Sequence, residues 1–219
     1  MSTRSTRQAP LLVVGGGIGG MATALALSQT GFSVEMFEQS AEVGEIGAGL
    51  QLGPNGFAAM DALGVGERAR RRAVYTDELV MMDAVDGSEI ARVPVGEAFR
   101  SRFNNPYAVI HRADIHQSLY EEVQLVASIR IHTSARITRV DLDEHGVRLA
   151  DANGGVHQGA AVVGCDGVHS VVRQRLVGDG HRVSGHVVYR AVVPRVALPP
   201  DDCVARVAAP RTNSALEVL

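Results

Sequence analysis

The feature that most constrains the fold is a run of glycines between a short apolar segment and a helix-forming segment. Residues 10–14 are apolar and typical of a β-strand, and five of the six residues 15–20 are glycine. Residues 21–28 are good helix formers, Gly31 is placed to end that helix, and residues 33–37 predict a second strand. This order predicts a βαβ unit, which implies a parallel sheet covered by helices.

The glycines match the G-x-G-x-x-G fingerprint of dinucleotide binding, with Gly15, Gly17 and Gly20 at its fixed positions. The first permits the tight turn, the second lets the backbone approach a pyrophosphate, and the third lets helix and strand pack closely. Glu38 ends the second strand, where a carboxylate accepts hydrogen bonds from ribose hydroxyls and disfavours a 2′-phosphate. The motif predicts NAD or FAD binding, and the alternative is a glycine-rich turn without a ligand.

The rest of the chain predicts further helices and strands of a mixed α/β protein. A glycine-rich loop covers residues 44–53, a short helix runs from Pro54 to Leu63, and the Asp86-Gly87 pair favours a hairpin. The remaining predicted elements are a helix over residues 114–126, an antiparallel meander over residues 137–150, a strand buried on both faces over residues 160–165, a helix ending near Val177, and a strand over residues 185–193.

Composition excludes several classes of protein. Hydrophobic residues make up 46 % and charged residues 21 % of the 219 residues, as in ordinary globular chains. The two cysteines match no disulfide framework or metal-ligand spacing, and a net charge of −3 gives no reason to expect nucleic acid as a partner. The longest apolar runs are far below the roughly 18 residues of a membrane span, and the polar N-terminus is not a secretory signal. We therefore expect a cytoplasmic protein with no membrane partner.

Four segments extend the argument through resemblance: residues 13–38, 44–53, 111–114 and 164–173. In this order they resemble the FAD-dependent aromatic-ring monooxygenases, and residues 44–55 are most similar to the salicylate and 3-hydroxybenzoate hydroxylases. The resemblance runs from about Leu11 to Pro194, and its most specific element is the Asp166-Gly167 pair. It implies a Rossmann-like FAD-binding βαβ domain with a parallel sheet and an antiparallel meander, followed by the beginning of a mostly β substrate domain.

The resemblance also implies a set of cofactor-binding residues: Gly15, Gly17, Ile18, Gly19, Gly20, Glu38, Gln39, Gly49, Gln51, Arg112, Asp166 and Arg173. Arg112 matches the family arginine near the flavin pyrophosphate, and Asp166 matches the aspartate at the ribityl-pyrophosphate region. Gln51 and nearby glycines would line the isoalloxazine cleft. The alternatives are a surface salt bridge for Arg112, a helix N-cap for Asp166, and a structural ion pair for Arg173.

The reaction implied by the resemblance is hydroxylation of a phenolic aromatic acid with NADH or NADPH and O2, through a flavin C4a-hydroperoxide and without a metal. A histidine suits the step that forms the phenolate, because its pKa lies near neutral pH. The candidate catalytic residues are His186, Tyr189 and Arg190; the alternative for His186 is a partly exposed strand histidine. An FAD-dependent epoxidase or reductase of another substrate class, and a catalytically silent nucleotide-binding fragment, are the alternative functions.

The resemblance further divides the chain at residue 180. Residues 1–180 are predicted to form the FAD-binding domain, interrupted by a β insertion around residues 76–110, and residues 181–219 the incomplete start of the substrate domain. Family members are longer and carry a second flavin motif that this chain lacks. We therefore expect a truncated form with an unpaired sheet edge at residues 185–193, weak or absent FAD binding and impaired activity. A homodimer is common in the family.

Overall fold

The computed structural model describes residues 9–44, 49–83 and 85–185, together with the backbone of residues 191–193 and 216–218. The chain divides into two compact units. The first consists of Met1–Glu45 and His116–Gly185, and the second of Ile46–Ile115 and His186–Leu219. The predicted α/β fold class is confirmed, whereas the domain boundary at residue 180 stays a prediction.

A parallel four-stranded sheet organises the first unit. Strand β1 (Leu11–Val14), helix α1 (Ile18–Gln29) and strand β2 (Val34–Phe37) form the predicted βαβ unit. β1 pairs in parallel with β2 and with β12 (Ala161–Gly164), and β8 (Ile129–His132) pairs in parallel with the far side of β2. The local sequence pattern therefore predicted the central crossover correctly.

The core of this unit lies on both faces of β1. Leu12 packs in one cluster with Phe37 of β2, while Val13 points to the opposite face because side chains alternate along a strand; all three are essentially inaccessible to solvent. The prediction of a doubly buried strand at residues 160–165 is wrong. β12 is the outer strand of the sheet in the described part of the chain, and its side chains are exposed or half-buried.

An antiparallel meander covers the cluster around Leu12. It consists of β9 (Ile137–Asp143), β10 (Gly146–Asp151) and β11 (Val156–Gly159), as the sequence predicts. Its buried residues pack with Val172 of the short helix α6 (Val171–Leu176). The meander and α6 together cover the face of the sheet on which Leu12 lies.

Asp151 fixes the turn between β10 and β11. Its Oδ1 accepts hydrogen bonds from the N–H groups of Asn153 (2.8 Å) and Gly155 (2.9 Å), and its Oδ2 accepts one from His157 Nε2 (2.8 Å). The bond from His157, followed by the backbone bonds, holds the pKa of Asp151 below its usual range, because these donors favour the carboxylate. A lowered folded-state pKa stabilises the fold above the unfolded-state pKa, and this stabilisation is lost as the pH falls through the folded-state value.

Replacing Asp151 by asparagine is expected to lower the free energy of unfolding at neutral pH and to flatten its decline below about pH 4. Asparagine keeps one acceptor oxygen but loses the titrating carboxylate, so the contribution of Asp151 to the acid dependence of the stability disappears. Urea unfolding of both proteins between neutral and acidic pH measures this. An equally steep acid decline in the variant would contradict the role of Asp151.

The second unit contains a small antiparallel sheet in the order β3-β7-β4. Its strands are β3 (Gly49–Leu52), β4 (Val74–Tyr75) and β7 (Ala108–His111), and its helices α2 (Pro54–Ala62) and α3 (Gly66–Arg72) lie between β3 and β4 in the chain. The predicted loop over residues 44–53 is thus a strand in its second half. Pairing with β7, which is distant in sequence, supplies the hydrogen bonds that a local pattern does not reveal.

The second unit also contains the predicted hairpin, formed by β5 (Glu78–Met82) and β6 (Glu89–Pro94), and helix α4 (Glu97–Phe103). Helix α5 (Arg112–Leu125) follows β7 and contributes residues to both units. None of the helices in the described residues is long and apolar enough to cross a membrane.

Two short strands belong to the second unit, near the end of the chain. β13 (Ala191–Val193) pairs antiparallel with β14 (Leu216–Val218). Residues 191–193 thus have a partner strand on one side, while their other side has no partner among the described residues, so the unpaired edge expected at residues 185–193 stays a prediction. The tail itself supplies a partner strand, which its weak β character alone did not indicate.

Candidate functional site

The glycine turn leads from β1 into α1 and lies against the chain that follows β12. Gly15 has a φ of 104°, and a Cβ on it would lie 2.2 Å from the carbonyl oxygen of Cys165 and 3.0 Å from the backbone nitrogen of Asp166. A Cβ on Gly20 would lie 1.8 Å from the carbonyl oxygen of Gly15. Side chains are therefore excluded at both positions, and the turn brings the Asp166 backbone beside Gly15.

The N-terminus of α1 fits an anionic ligand. Gly17 is the N-cap, no side chain in the described residues caps the helix, and its first turn carries no acidic residue. The N–H groups that precede the first helical hydrogen bond, from Met21 to Gly17 (3.0 Å), lack intrahelical partners. Gly19 is exposed, and a Cβ there would meet no atom within 4 Å. Open N–H groups at the positive end of a helix dipole favour a phosphate at this place.

Glu38 places its carboxylate against the same turn. Its Oε2 accepts a hydrogen bond from the N–H of Gly16 (2.7 Å), and its Oε1 accepts one from the N–H of Ser40 (2.8 Å). Each carboxylate oxygen can accept a further bond. The side chain is therefore fixed by backbone donors while it keeps acceptor capacity for ribose hydroxyls. Gln39, the next residue, is exposed.

Sequence reasoning missed His116 of α5, which contacts the glycine turn. The side chain is 2 % exposed, and its Nε2 lies 2.8 Å from the carbonyl oxygen of Gly16. A carbonyl only accepts, so Nε2 donates. A signal was present: His116 has the helical spacing of the buried residues Leu119 and Val123. A histidine on an apolar helix face needs a partner, although the sequence does not tell which one.

Asp166 interacts with the start of α6. Its Oδ2 accepts hydrogen bonds from the N–H groups of Val171 (2.7 Å) and Val172 (3.3 Å), and its Oδ1 accepts one from the hydroxyl of Ser170. The N-cap itself is Ser170, which accepts from the N–H of Arg173. The carboxylate thus holds a helix N-terminus without being its N-cap, and its role toward a cofactor stays a prediction.

Arg173 has protein partners on both sides of its guanidinium. Nη2 donates to the carbonyl oxygen of Val168 (2.9 Å), and Nε lies 3.1 Å from Oδ1 of Asp179 in an ion pair. This arrangement agrees with the interpretation of Arg173 as a structural ion-pair partner. Its predicted contact with a cofactor is untested.

The other predicted site residues lie in the second unit or outside the described residues. Gly49 is buried in β3, Gln51 is exposed on the same strand, and Arg112 begins α5. Their roles stay predictions. Three predicted catalytic residues lie outside the described residues: His186, Tyr189 and Arg190. Their catalytic roles stay predictions. Ile18 begins α1, in the first turn that also holds Gly19 and Gly20.

The class that the βαβ unit and its glycine turn define is the dinucleotide-binding α/β domain. Within this class the chain belongs to the FAD binding domain family, whose model matches residues 8–204. The resemblance found in the sequence is thus confirmed.

Curated relatives support this family, and a solved structure shares the fold. The chain is 60 % identical over 190 residues to a 3-hydroxybenzoate 6-hydroxylase of Polaromonas naphthalenivorans and 50 % identical to one of Klebsiella oxytoca; each match covers 87 % of this chain and 48 % of the relative. The chain thus spans about half the length of the curated relatives it matches. HpxO of Klebsiella pneumoniae, in complex with FAD and uric acid, has a similar fold, with a TM-score of 0.68, 23 % identity, and coverage of 81 % of this chain and 44 % of that one.

Proposed function

We propose that the chain forms the FAD-binding part of a flavoprotein monooxygenase that hydroxylates a phenolic aromatic acid of the 3-hydroxybenzoate type. The observation that carries the proposal is the uncapped N-terminus of α1 beside the fixed Glu38 carboxylate. This pairing suits the pyrophosphate and the ribose of one ADP group. Identity of 60 % to a 3-hydroxybenzoate 6-hydroxylase supports the substrate class.

Backbone donors and a carboxylate of the first unit would hold the ADP part of FAD. The N–H groups of residues 17–20 would donate to the pyrophosphate, and Glu38 would accept from the ribose hydroxyls, with Gln39 next to it. The isoalloxazine ring, when bound, supplies the redox chemistry with NADH or NADPH and O2. Asp166, Arg173, Gly49, Gln51 and Arg112 complete the proposed cofactor set, by resemblance.

Substrate handling is assigned to the segment that follows α6. His186 is proposed as the base that takes the phenolic proton, with Tyr189 and Arg190 orienting the aromatic acid. An ionised phenol oxygen raises electron density at the ring carbons that are hydroxylated, so proton removal by the protein assists the reaction. A cytoplasmic location, a homodimer and a domain division at residue 180 belong to the same proposal.

A titration of the purified full chain with FAD tests the cofactor site. We expect saturable quenching of flavin fluorescence that ADP reverses. AMP is expected to compete better than 2′,5′-ADP, which differs from it only by the 2′-phosphate, because the Glu38 carboxylate repels that phosphate. The titration extends to millimolar FAD, so that strong and weak binding are both detected. Quenching that ADP does not reverse would contradict the proposed place of binding.

Steady-state oxidation of NADH by the FAD-loaded chain tests the reaction class. We expect 3-hydroxybenzoate to stimulate oxidation more than benzoate, which lacks the phenolic oxygen. A loaded chain that no phenolic acid stimulates would contradict the assignment to aromatic hydroxylation.

A further inference from the structure

The peptide groups around Gly16 are held by two side chains from distant parts of the first unit. The N–H of Gly16 donates to Glu38 Oε2 (2.7 Å), and its carbonyl oxygen accepts from His116 Nε2 (2.8 Å). Gly16 is buried, and His116 lies 100 positions further along the chain, on α5. The two bonds fix the backbone of Gly16. Its neighbours, Gly15 and Gly17, also have no side chains that could hold the turn.

We propose that His116 is a positioning residue that aims the N–H of Gly17 at the pyrophosphate. The carbonyl of Gly16 and the N–H of Gly17 belong to one planar trans peptide, in which these two groups point in opposite directions. By holding the carbonyl on the buried side, His116 turns the N–H of Gly17 away from the core. This inference rests on the proposed function, because it assumes that the ligand at the turn is FAD.

The energetic reason is the flexibility of the segment. Five glycines among residues 15–20 give the backbone many accessible conformations, and ordering them at the moment of binding would weaken the affinity. A turn that is ordered beforehand avoids this loss. Without His116 the Gly16 carbonyl would lack a donor in buried surroundings, and the peptide would rotate to find one.

A role of His116 in packing alone predicts a different outcome from a role in positioning. The amide nitrogen of glutamine reaches about as far as Nε2 of histidine, whereas that of asparagine stops one bond earlier. Both replacements are polar and smaller than histidine, so packing loss affects both. The two variants differ in the hydrogen bond to the Gly16 carbonyl oxygen, which glutamine is long enough to keep and asparagine is not. The matched control is His145→Asn, on the exposed turn between β9 and β10.

The test measures FAD dissociation constants and amide hydrogen exchange of residues 16–20 in the ligand-free full chain. We expect His116→Gln to stay within about threefold of the wild type and His116→Asn to bind FAD about tenfold more weakly, which equals about 1.4 kcal/mol. Exchange at the turn is expected to accelerate in His116→Asn but not in His116→Gln or His145→Asn.

Equal FAD affinity and equal exchange in the glutamine and asparagine variants would overturn the proposal. Should the asparagine variant fail to fold, the Nε2–H proton of His116 in the wild type decides by NMR. A slowly exchanging proton supports the hydrogen bond, and a rapidly exchanging one overturns it. If the wild type binds no FAD, the proposed function fails, while the exchange data still show whether His116 orders the turn.

Discussion

Gly20→Ala is expected to disrupt the glycine turn and to abolish FAD binding. A Cβ on Gly20 would lie 1.8 Å from the carbonyl oxygen of Gly15 and 3.0 Å from its carbonyl carbon. Both are backbone atoms, so no change of rotamer relieves the clash, and α1 must move away from the turn. Overpacking of this kind costs about 3 kcal/mol, a large part of the stability of a typical domain.

Gly19→Ala is the matched control for stability, one position earlier in the same helix. A Cβ there meets no atom within 4 Å, and alanine is a better helix former than glycine. Urea unfolding of the ligand-free chain is expected to show a lower free energy for Gly20→Ala, and an unchanged or slightly higher one for Gly19→Ala. Equal stability of the two variants would mean that α1 does not pack on the turn as closely as the structure has it.

The βαβ unit was predictable because its signals are local. Strand, glycine turn and helix are contiguous, Gly31 ends α1 with a φ of 93°, and the meander is marked by its own turns. Strand order is a tertiary property. An apolar run such as residues 160–165 is compatible with a central strand or an outer one, and only its place in the sheet leaves β12 half-exposed.

The candidate site, too, was predictable from the sequence only where its signals are local. The fingerprint located the turn and Glu38, because the turn demands glycine and the acid follows at a fixed distance along the chain. The helical spacing of His116 indicated its burial but not its partner, since a contact with Gly16, 100 positions away, leaves no trace in local spacing. For Asp166 the motif gave the position, but the hydrogen bonds to Val171 and Val172 follow from how α6 docks.

Glu38→Gln is expected to weaken FAD binding about 30-fold, which corresponds to about 2 kcal/mol. The carboxylate accepts from the N–H of Gly16 with one oxygen and from the N–H of Ser40 with the other. Glutamine keeps the size of the side chain but replaces one oxygen by an NH2 group, so one backbone donor faces another donor. The turn loses a charge-assisted bond, and the ribose loses acceptors.

The control is Glu42→Gln, which removes the same charge from an exposed side chain four positions further on. Titration with FAD measures the first effect, and competition against bound FAD by AMP and by 2′,5′-ADP, which differ only in the 2′-phosphate, measures the second. The preference for AMP over 2′,5′-ADP is expected to shrink in Glu38→Gln, because repulsion of the 2′-phosphate disappears with the carboxylate, and to persist in Glu42→Gln. If the two variants behaved alike, the effect would come from net charge, and Glu38 would have no direct contact with the ribose.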